Sequence, residues 1–174
     1  MKQGGGKRKG GTFERLICAK LSLWVSGGRN RDLFWRSAMS GGRATVGQRK
    51  GHRVSRVAGD ICATAPEGHA LTNVLYFELK SYKRLFLERF LLTGTGKLAD
   101  FWRKTCREAR KHHRHPVLIA KENGLPVLWI TRPGVTRSHV SHQDRLYNRA
   151  MLSLADPGAV VYKLDDVLAC TYKN

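Results

Sequence analysis

Three side chains near the middle of the sequence are of the types that could act together on a phosphate ester. Glu78 and Lys80 lie two residues apart in residues 73–80, an apolar run that predicts a strand. Because side chains alternate along a strand, both would lie on one face, about 7 Å apart. Asp60 lies in a second predicted strand, residues 56–63. Two strands joined by the turn residues between them could bring the Asp60 carboxylate beside that of Glu78.

Two neighbouring carboxylates repel each other unless a cation or a proton lies between them. Mg²⁺ is the usual solution, because one or two carboxylates can hold it while water and phosphate oxygens complete its shell. Lys80 could then orient a water and offset phosphate charge. This set of residues predicts metal-assisted hydrolysis of a phosphodiester. The simpler alternative is that Glu78 and Lys80 form the solvated face of an edge strand.

Glu14 is a fourth candidate, in the first turn of a helix predicted to begin at Thr12. It precedes Leu21 by seven residues and is nearly in line with it, so its carboxylate points towards the edge of the core. A carboxylate in that position needs a partner. The partner could be a basic residue of a neighbouring turn, such as Arg15 or Lys20, or it could be the metal site. The apolar stripe of this helix comprises Phe13, Leu16, Ile17, Leu21 and Trp24.

The charge of the chain indicates a polyanionic partner. The 174 residues include 32 Lys and Arg against 13 Asp and Glu, a formal net charge of +19. Self-repulsion on this scale opposes a compact fold, and nucleic acid is the commonest compensating partner. Charge alone does not distinguish DNA from RNA, or a nuclease from a basic binding protein or a ribosomal-type RNA-associated protein.

We expect the basic residues to contact the nucleic-acid backbone with little dependence on base sequence. Most of them lie in a flexible Gly- and Lys-rich tail (residues 1–11), in a Gly- and Ser-rich loop (residues 37–51) or on the outer face of an amphipathic helix (residues 98–109), and the others lie outside these segments. The predicted contacts are Lys7, Arg8, Lys9, Arg36, Arg43, Arg49, Lys50, Arg53, Lys83, Arg107, Lys111 and Lys121.

The remaining pattern predicts one domain over residues 12–174. Residues 117–120 and 127–130 form a hairpin around an Asn-Gly turn. A weak helix over residues 146–154, a strand over 159–162 and a short helix over 165–169 follow. The four scattered cysteines suggest neither a zinc ribbon nor a disulfide framework. With no apolar run long enough for a bilayer and no hydrophobic N-terminal segment, we expect a cytoplasmic protein.

The order of these residues resembles the PD-(D/E)XK nuclease superfamily, in particular its Holliday-junction-resolvase-like branch. The resemblance covers residues 9–81 and extends more loosely to about residue 130. Gly59 stands where the superfamily has the proline of its PD signature. The matching segments are Lys9-Gly10-Gly11-Thr12-Phe13-Glu14, residues 35–42 (WRSAMSGG), Gly59-Asp60 and Glu78-Leu79-Lys80-Ser81.

The resemblance implies an α/β fold in which helices flank a central mixed sheet, as in restriction endonucleases. It implies that Asp60, Glu78 and the Leu79 backbone carbonyl hold Mg²⁺, for which Mn²⁺ can substitute. Lys80 would position the water, Glu14 would be linked to the metal or the water, and Ser37 and Ser40 would contact the substrate.

The predicted function is therefore a metal-dependent DNA endonuclease. Branched or Holliday-junction DNA is a candidate substrate, which would suit DNA recombination and a homodimer. A small basic nuclease of this kind would suit a phage in the cytoplasm of its host. The alternative is a basic protein that binds DNA or RNA without cutting it.

Overall fold

The computed structural model describes residues 5–37, 58–141, 150–154 and 158–173, and it describes the side chains of these residues except in 5–9 and 150–154. The helices are α1 (Gly5–Val25), α2 (Pro66–Val74), α3 (Leu87–Thr93), α4 (Lys97–Lys111), a 3₁₀ helix (Thr136–His139) and α5 (Leu164–Leu168). The strands are β1 (Phe34–Arg36), β2 (Ile61–Ala63), β3 (Leu75–Tyr82), β4 (His115–Glu122), β5 (Leu128–Thr131), β6 (Ala150–Leu154) and β7 (Ala159–Lys163).

A five-stranded mixed sheet with strand order β3-β4-β5-β7-β6 forms the centre of the protein. β3 and β4 run parallel, with α3 and α4 in their connection, and the other neighbouring strands are antiparallel. The predicted hairpin is confirmed as the antiparallel β4–β5 pair. β1 and β2 form a separate antiparallel pair. The backbone N–H of Asp60, just before β2, donates to the Phe77 carbonyl at 2.8 Å, which attaches this pair to β3.

Helices cover both faces of the sheet, so the predicted restriction-endonuclease-like α/β architecture is confirmed. On one face, α1 packs its apolar stripe against alternate residues of β3, including Phe77 and Leu79. On the other face, α3 and α4 pack against β4 and β5, with Trp102 fully buried. Trp24 and Trp129 are also buried in the core. No helix among the described residues is both long and apolar enough to cross a membrane.

The first helix begins earlier than the sequence predicts. α1 starts at Gly5 rather than Thr12, so residues 5–11 of the predicted tail are helical. The prediction failed because glycine is a poor helix former. Gly11 has a packing role instead, since a Cβ at this position would lie 2.7 Å from Nη1 of Arg36. The glycine leaves room for that guanidinium beside the helix.

Two other local predictions were wrong. Residues 66–68 were predicted as a turn, but they begin α2, with Pro66 in the first turn, where a missing N–H costs no helical hydrogen bond. Residues 146–154 were predicted as a helix, but Ala150–Leu154 is strand β6, paired with β7, and residues 146–149 lie outside the described part. β6 is held by antiparallel pairing with the next strand, β7, and these pairing contacts override the weak helical periodicity of the segment.

Position 59 requires glycine because the chain passes very close to the β3 backbone just before β2 begins. The φ of Gly59 is +88°, and a Cβ built on it would lie 2.5 Å from the Phe77 carbonyl oxygen. Proline, whose φ is locked near −65°, cannot adopt this conformation. The chain therefore reaches Asp60 by a backbone path that a proline-containing signature does not share.

We predict that Gly59→Ala lowers the free energy of unfolding by about 1–3 kcal/mol and displaces Asp60. Gly124→Ala is the matched control, because Gly124 also has a positive φ (78°) but has no neighbouring atom within 4 Å of the added Cβ. Urea unfolding of both variants measures the difference. An equal loss in the two would show that the contact with Phe77 imposes no additional cost.

Candidate active site

Three backbone-linked hydrogen bonds position Asp60. Its N–H donates to the Phe77 carbonyl and its own carbonyl accepts from the Ser37 N–H, each at 2.8 Å. Its carboxylate oxygen Oδ2 accepts from the Leu79 N–H, also at 2.8 Å. The side chain therefore lies against β3 at the level of Leu79. Ser37, predicted to contact the substrate, is fully buried in the described structure, and its contact with substrate stays a prediction.

Glu78 and Lys80 lie on one face of β3, as the strand alternation predicts. Nζ of Lys80 is 2.5 Å from Oε1 of Glu78 and 3.4 Å from the Leu79 carbonyl oxygen. The Lys80 side chain is only 20% exposed and the Glu78 side chain only 13%, so this ion pair is largely shielded from solvent. The interpretation of Glu78 and Lys80 as a solvated strand face is therefore wrong.

The carboxylates of Asp60 and Glu78 strongly influence each other. Burial and the negative charge of Glu78 raise the pKa of Asp60 to about 7. The Leu79 N–H and the Lys80 ammonium oppose this rise, and Glu14 adds to it. For Lys80, burial lowers the pKa, but Glu78 and Asp60 outweigh it, so the net pKa is raised and the ammonium stays charged. The site thus holds more negative charge than Lys80 alone neutralises.

Glu14 reaches this cluster from α1. Its Oε2 lies 3.0 Å from Nε of Arg36 on β1. Arg36 was not among the partners considered from the sequence; of those two, Arg15 contacts Thr12 and Lys20 pairs with Asp165. Since the charge of Glu14 acts on Asp60, the structure brings all four predicted active-site residues into one electrostatic cluster.

The donor atoms of this cluster suit a hard divalent cation. Asp60 and Glu78 supply carboxylate oxygens, and the Leu79 carbonyl oxygen lies close enough to accept from Lys80. Among the described residues, no three His, Cys, Asp or Glu side chains are grouped so as to hold a metal alone. Mg²⁺ fits this arrangement, since it commonly takes few protein ligands and keeps water and substrate oxygens. The excess negative charge around Asp60 is the observation that supports the fit.

Tyr76 is a residue of the site that the sequence analysis did not select. It is hydrogen-bonded to Glu78, and burial together with the charges of Glu78 and Asp60 raises its pKa. Its ring stacks on His112 of α4, with centroids 5.9 Å apart and planes 12° apart. The signal was present, because Tyr76, Glu78 and Lys80 alternate onto one face of the predicted strand.

A groove of about 680 Å³ lies beside the acidic cluster. It runs between the beginning of α1, the end of β3 and the turn of the β4–β5 hairpin. Because Lys80 lines it, a substrate phosphate in this groove would lie next to the cluster. The lining residues are Gly10, Leu79, Lys80, Ser81, Tyr82, Lys83 and Asn123.

A second pocket, of about 340 Å³, collects cationic side chains at the end of α4. No acidic residue is among the described residues that line it. His113 is held there with a left-handed φ of 54°, an uncommon conformation for a residue other than glycine. The described lining comprises Cys106, Arg110, His113, Arg114, His115, Pro116 and Arg132. Arginines 110, 114 and 132 were not selected from the sequence.

The predicted DNA contacts fall into three groups. Lys83, Arg107 and Lys111 are exposed, Lys111 in an ion pair with Glu108 at 2.8 Å. Lys121 and Arg36 are partly buried; Lys121 pairs with Ser81 in the strand register, and Arg36 pairs with Glu14. The third group lies where side chains are not described: Lys7, Arg8 and Lys9 in α1, and Ser40, Arg43, Arg49, Lys50 and Arg53 outside the described residues.

We predict that Asp60→Asn makes the metal-free protein more stable above pH 7 and has little effect below pH 4. The folded pKa is raised to about 7, so the stability contributed by the Asp60 proton is complete below its unfolded pKa, about 3.9, and is lost as pH rises through 7. Urea unfolding in EDTA across this range measures the difference. If the difference in free energy of unfolding between Asp60→Asn and the unaltered protein did not change with pH, the raised pKa of Asp60 would be contradicted. Asp166→Asn, on α5, is the matched control.

Comparison with known protein families agrees with this geometry. A family model described as "Phage putative PDDEXK endonuclease" matches residues 5–150, well over half of the chain and all four residues of the acidic and basic cluster. The searches of curated proteins and of solved structures gave no match. The match confirms the resemblance to the PD-(D/E)XK superfamily at the level of the superfamily, without reaching the Holliday-junction branch. The chain belongs to the phage PDDEXK endonuclease family.

Proposed function

We propose that this protein is a divalent-cation-dependent DNA endonuclease that uses Asp60, Glu78, Lys80 and Glu14 as its active site. The observation that carries the proposal is the buried pair of carboxylates, Asp60 and Glu78, with Lys80 in contact with Glu78. A structural ion pair would need one carboxylate for one ammonium. The second carboxylate is costly unless a cation compensates for it.

Each residue has a separate task in phosphodiester hydrolysis. Asp60, Glu78 and the Leu79 carbonyl would hold Mg²⁺ or Mn²⁺, which would polarise the phosphate and favour ionisation of water. Lys80 would orient the attacking water and offset the charge that develops on the phosphate. Glu14, held by Arg36 at 3.0 Å, would accept a hydrogen bond from that water or from a water of the metal shell.

The cationic surfaces would hold the DNA backbone. Exposed Lys83 lies in the lining of the groove and would meet the backbone of a bound strand, and exposed Arg107 on α4 would add to the cationic surface. Such contacts predict affinity that falls steeply with salt and depends little on base sequence. We further propose branched DNA, such as four-way junctions, as a substrate and a homodimer as the active form, because a symmetric junction suits a two-fold enzyme. The place of action would be the host cytoplasm.

We predict that Asp60→Asn and Lys80→Ala each lower the cleavage rate by at least about 100-fold while DNA binding remains. The reason is that neither change removes an exposed cationic contact. Lys104→Ala, an exposed lysine on α4, is the matched control and should cleave like the parent. The measurement is single-turnover cleavage of plasmid, duplex, flap, single-stranded and four-way-junction DNA with Mg²⁺, Mn²⁺ or EDTA.

Two outcomes would contradict the proposal. Cleavage that persists in EDTA would show that the reaction does not require a divalent metal ion. DNA or RNA binding with no cleavage of any substrate in the panel would favour the alternative, a basic nucleic-acid-binding protein without catalysis. RNA versions of the same substrates test the choice of DNA.

We predict that Tyr76→Phe weakens Mg²⁺ binding by about tenfold, because Glu78 loses the hydrogen bond that orients it as a ligand. Cleavage should fall at low Mg²⁺ and recover at high Mg²⁺. Tyr162→Phe, a change in the core on β7, is the matched control. Isothermal titration with Mg²⁺ measures the affinity without requiring activity. An unchanged affinity in Tyr76→Phe would remove Tyr76 from the site.

A further inference from the structure

We infer that Tyr82 and Phe101 form a base-stacking site for an unpaired nucleotide next to the scissile phosphate. This inference rests on the proposed nuclease function and narrows its substrate class. Nucleic acids with unpaired bases, such as single strands, flaps and open branch points, would fit the site better than a continuous duplex.

The two aromatic rings lie directly beside the proposed catalytic lysine. Tyr82 follows Lys80 by two residues on β3, so its side chain leaves the same face about 7 Å further along the strand. The Tyr82 and Phe101 rings stack, with centroids 5.6 Å apart and planes 26° apart. Nζ of Lys80 lies 5.4 Å from the Phe101 centroid. A base held by this pair would therefore belong to a nucleotide adjoining the phosphate at Lys80.

The rings and the cations around them suit the two parts of a nucleotide, its base and its phosphate. Nζ of Lys97 lies 4.0 Å from the Tyr82 centroid and 5.8 Å from that of Phe101. Lys83 lies in the same groove lining as Lys80 and Tyr82. Sites for single strands combine cations that follow the backbone with aromatic rings on which bases stack. Lys97 has a long flexible stem, so an incoming base can displace it from the ring while its charge stays at the phosphate.

Exposed aromatic surface continues along the chain after Tyr82. Tyr82 is 36% exposed and Phe86 is 47% exposed. Phe86 also adopts a left-handed φ of 55°, an outlier for a bulky side chain, and the Arg84 guanidinium lies 5.0 Å from its ring centroid. The Phe86 ring is largely outside the core, so core packing does not explain why this residue adopts a strained backbone conformation. Residues 82–86 thus present two exposed rings, Tyr82 and Phe86, with the cations Lys83 and Arg84 between them.

The chemistry favours unpaired bases because both faces of a paired base are already stacked on its neighbours in a duplex. Placing such a base on Tyr82 requires unpairing and unstacking, whereas an unpaired base does not incur this cost. A phosphate-binding surface without rings would not prefer the unpaired form, because a duplex carries the denser phosphate charge.

The test compares a single-stranded oligonucleotide with the same strand annealed to its complement, both fluorescein-labelled. Binding is measured by anisotropy in EDTA with the Asp60→Asn protein, so that cleavage does not interfere. Tyr82→Leu should weaken single-strand binding by about tenfold and change duplex binding by less than about twofold. Tyr82→Phe, which keeps the ring, is the matched control and should retain the single-strand affinity.

A second measurement does not depend on the folding of a Tyr82 variant. A single strand that carries 5-iodouracil, moved along the strand in successive oligonucleotides, should crosslink under ultraviolet light to Tyr82 in the Asp60→Asn protein. Peptide mass spectrometry identifies the crosslinked residue.

Equal loss of single-strand and duplex binding in Tyr82→Leu, or crosslinks that never include Tyr82 or Phe101, would overturn the stacking site. The proposed nuclease function would survive that result. Absence of nucleic-acid binding and cleavage in the unaltered protein would overturn both, so the two failures are distinguishable.

Discussion

The hydrogen bond from the Leu79 N–H to the Asp60 carboxylate is the interaction on which the site depends. β3 is the edge strand of the five-stranded sheet, and the short β1–β2 pair is attached beside it through Asp60. An edge strand normally presents unpaired backbone groups. Here one of these groups holds a carboxylate, so the same contact satisfies the strand edge and brings an acid from a distant part of the sequence to Glu78.

The electrostatic consequence is that this pair of carboxylates lowers the stability of the folded protein near neutral pH. Two carboxylates are held in a largely buried position, and the Lys80 ammonium contacts one of them, that of Glu78. In the folded protein, burial and mutual repulsion raise the pKa of Asp60 to about 7, which opposes its ionised form near neutral pH. A divalent ion bound as proposed would relieve this repulsion, so metal binding and folding would be linked at this point. Strained groups of this kind cluster at functional sites.

α4 forms the second wall of the site. Its ring Phe101 lies beside Lys80, and His112 at its C-terminal end stacks on Tyr76. The same helix is anchored by Trp102 in the core between α4 and the sheet. Because this helix and its C-cap position groups at both ends of the acidic cluster, the spacing between the carboxylates and the aromatic pair is set by core packing rather than by a loop.

The sequence by itself determined the residue types, the strand faces and the class of chemistry. Period-two alternation is a local property, so the shared face of Glu78 and Lys80 followed from it, as did the hairpin and the amphipathic helix α4. Charge likewise indicated a polyanionic partner without any fold. The start of α1 and strand β6 were mispredicted, because glycine has a low helix propensity and because the pairing of β6 with β7 overrides a weak helical periodicity.

Only the tertiary structure decided which groups meet. The pairing of Glu14 with Arg36, the role of Tyr76 and the collection of Arg110, Arg114 and Arg132 in one pocket join separate elements. No spacing rule reports such contacts, because they depend on how elements far apart in the chain pack together. The raised pKa of Asp60 belongs to the same class, since burial and the distance to another carboxylate exist only after folding.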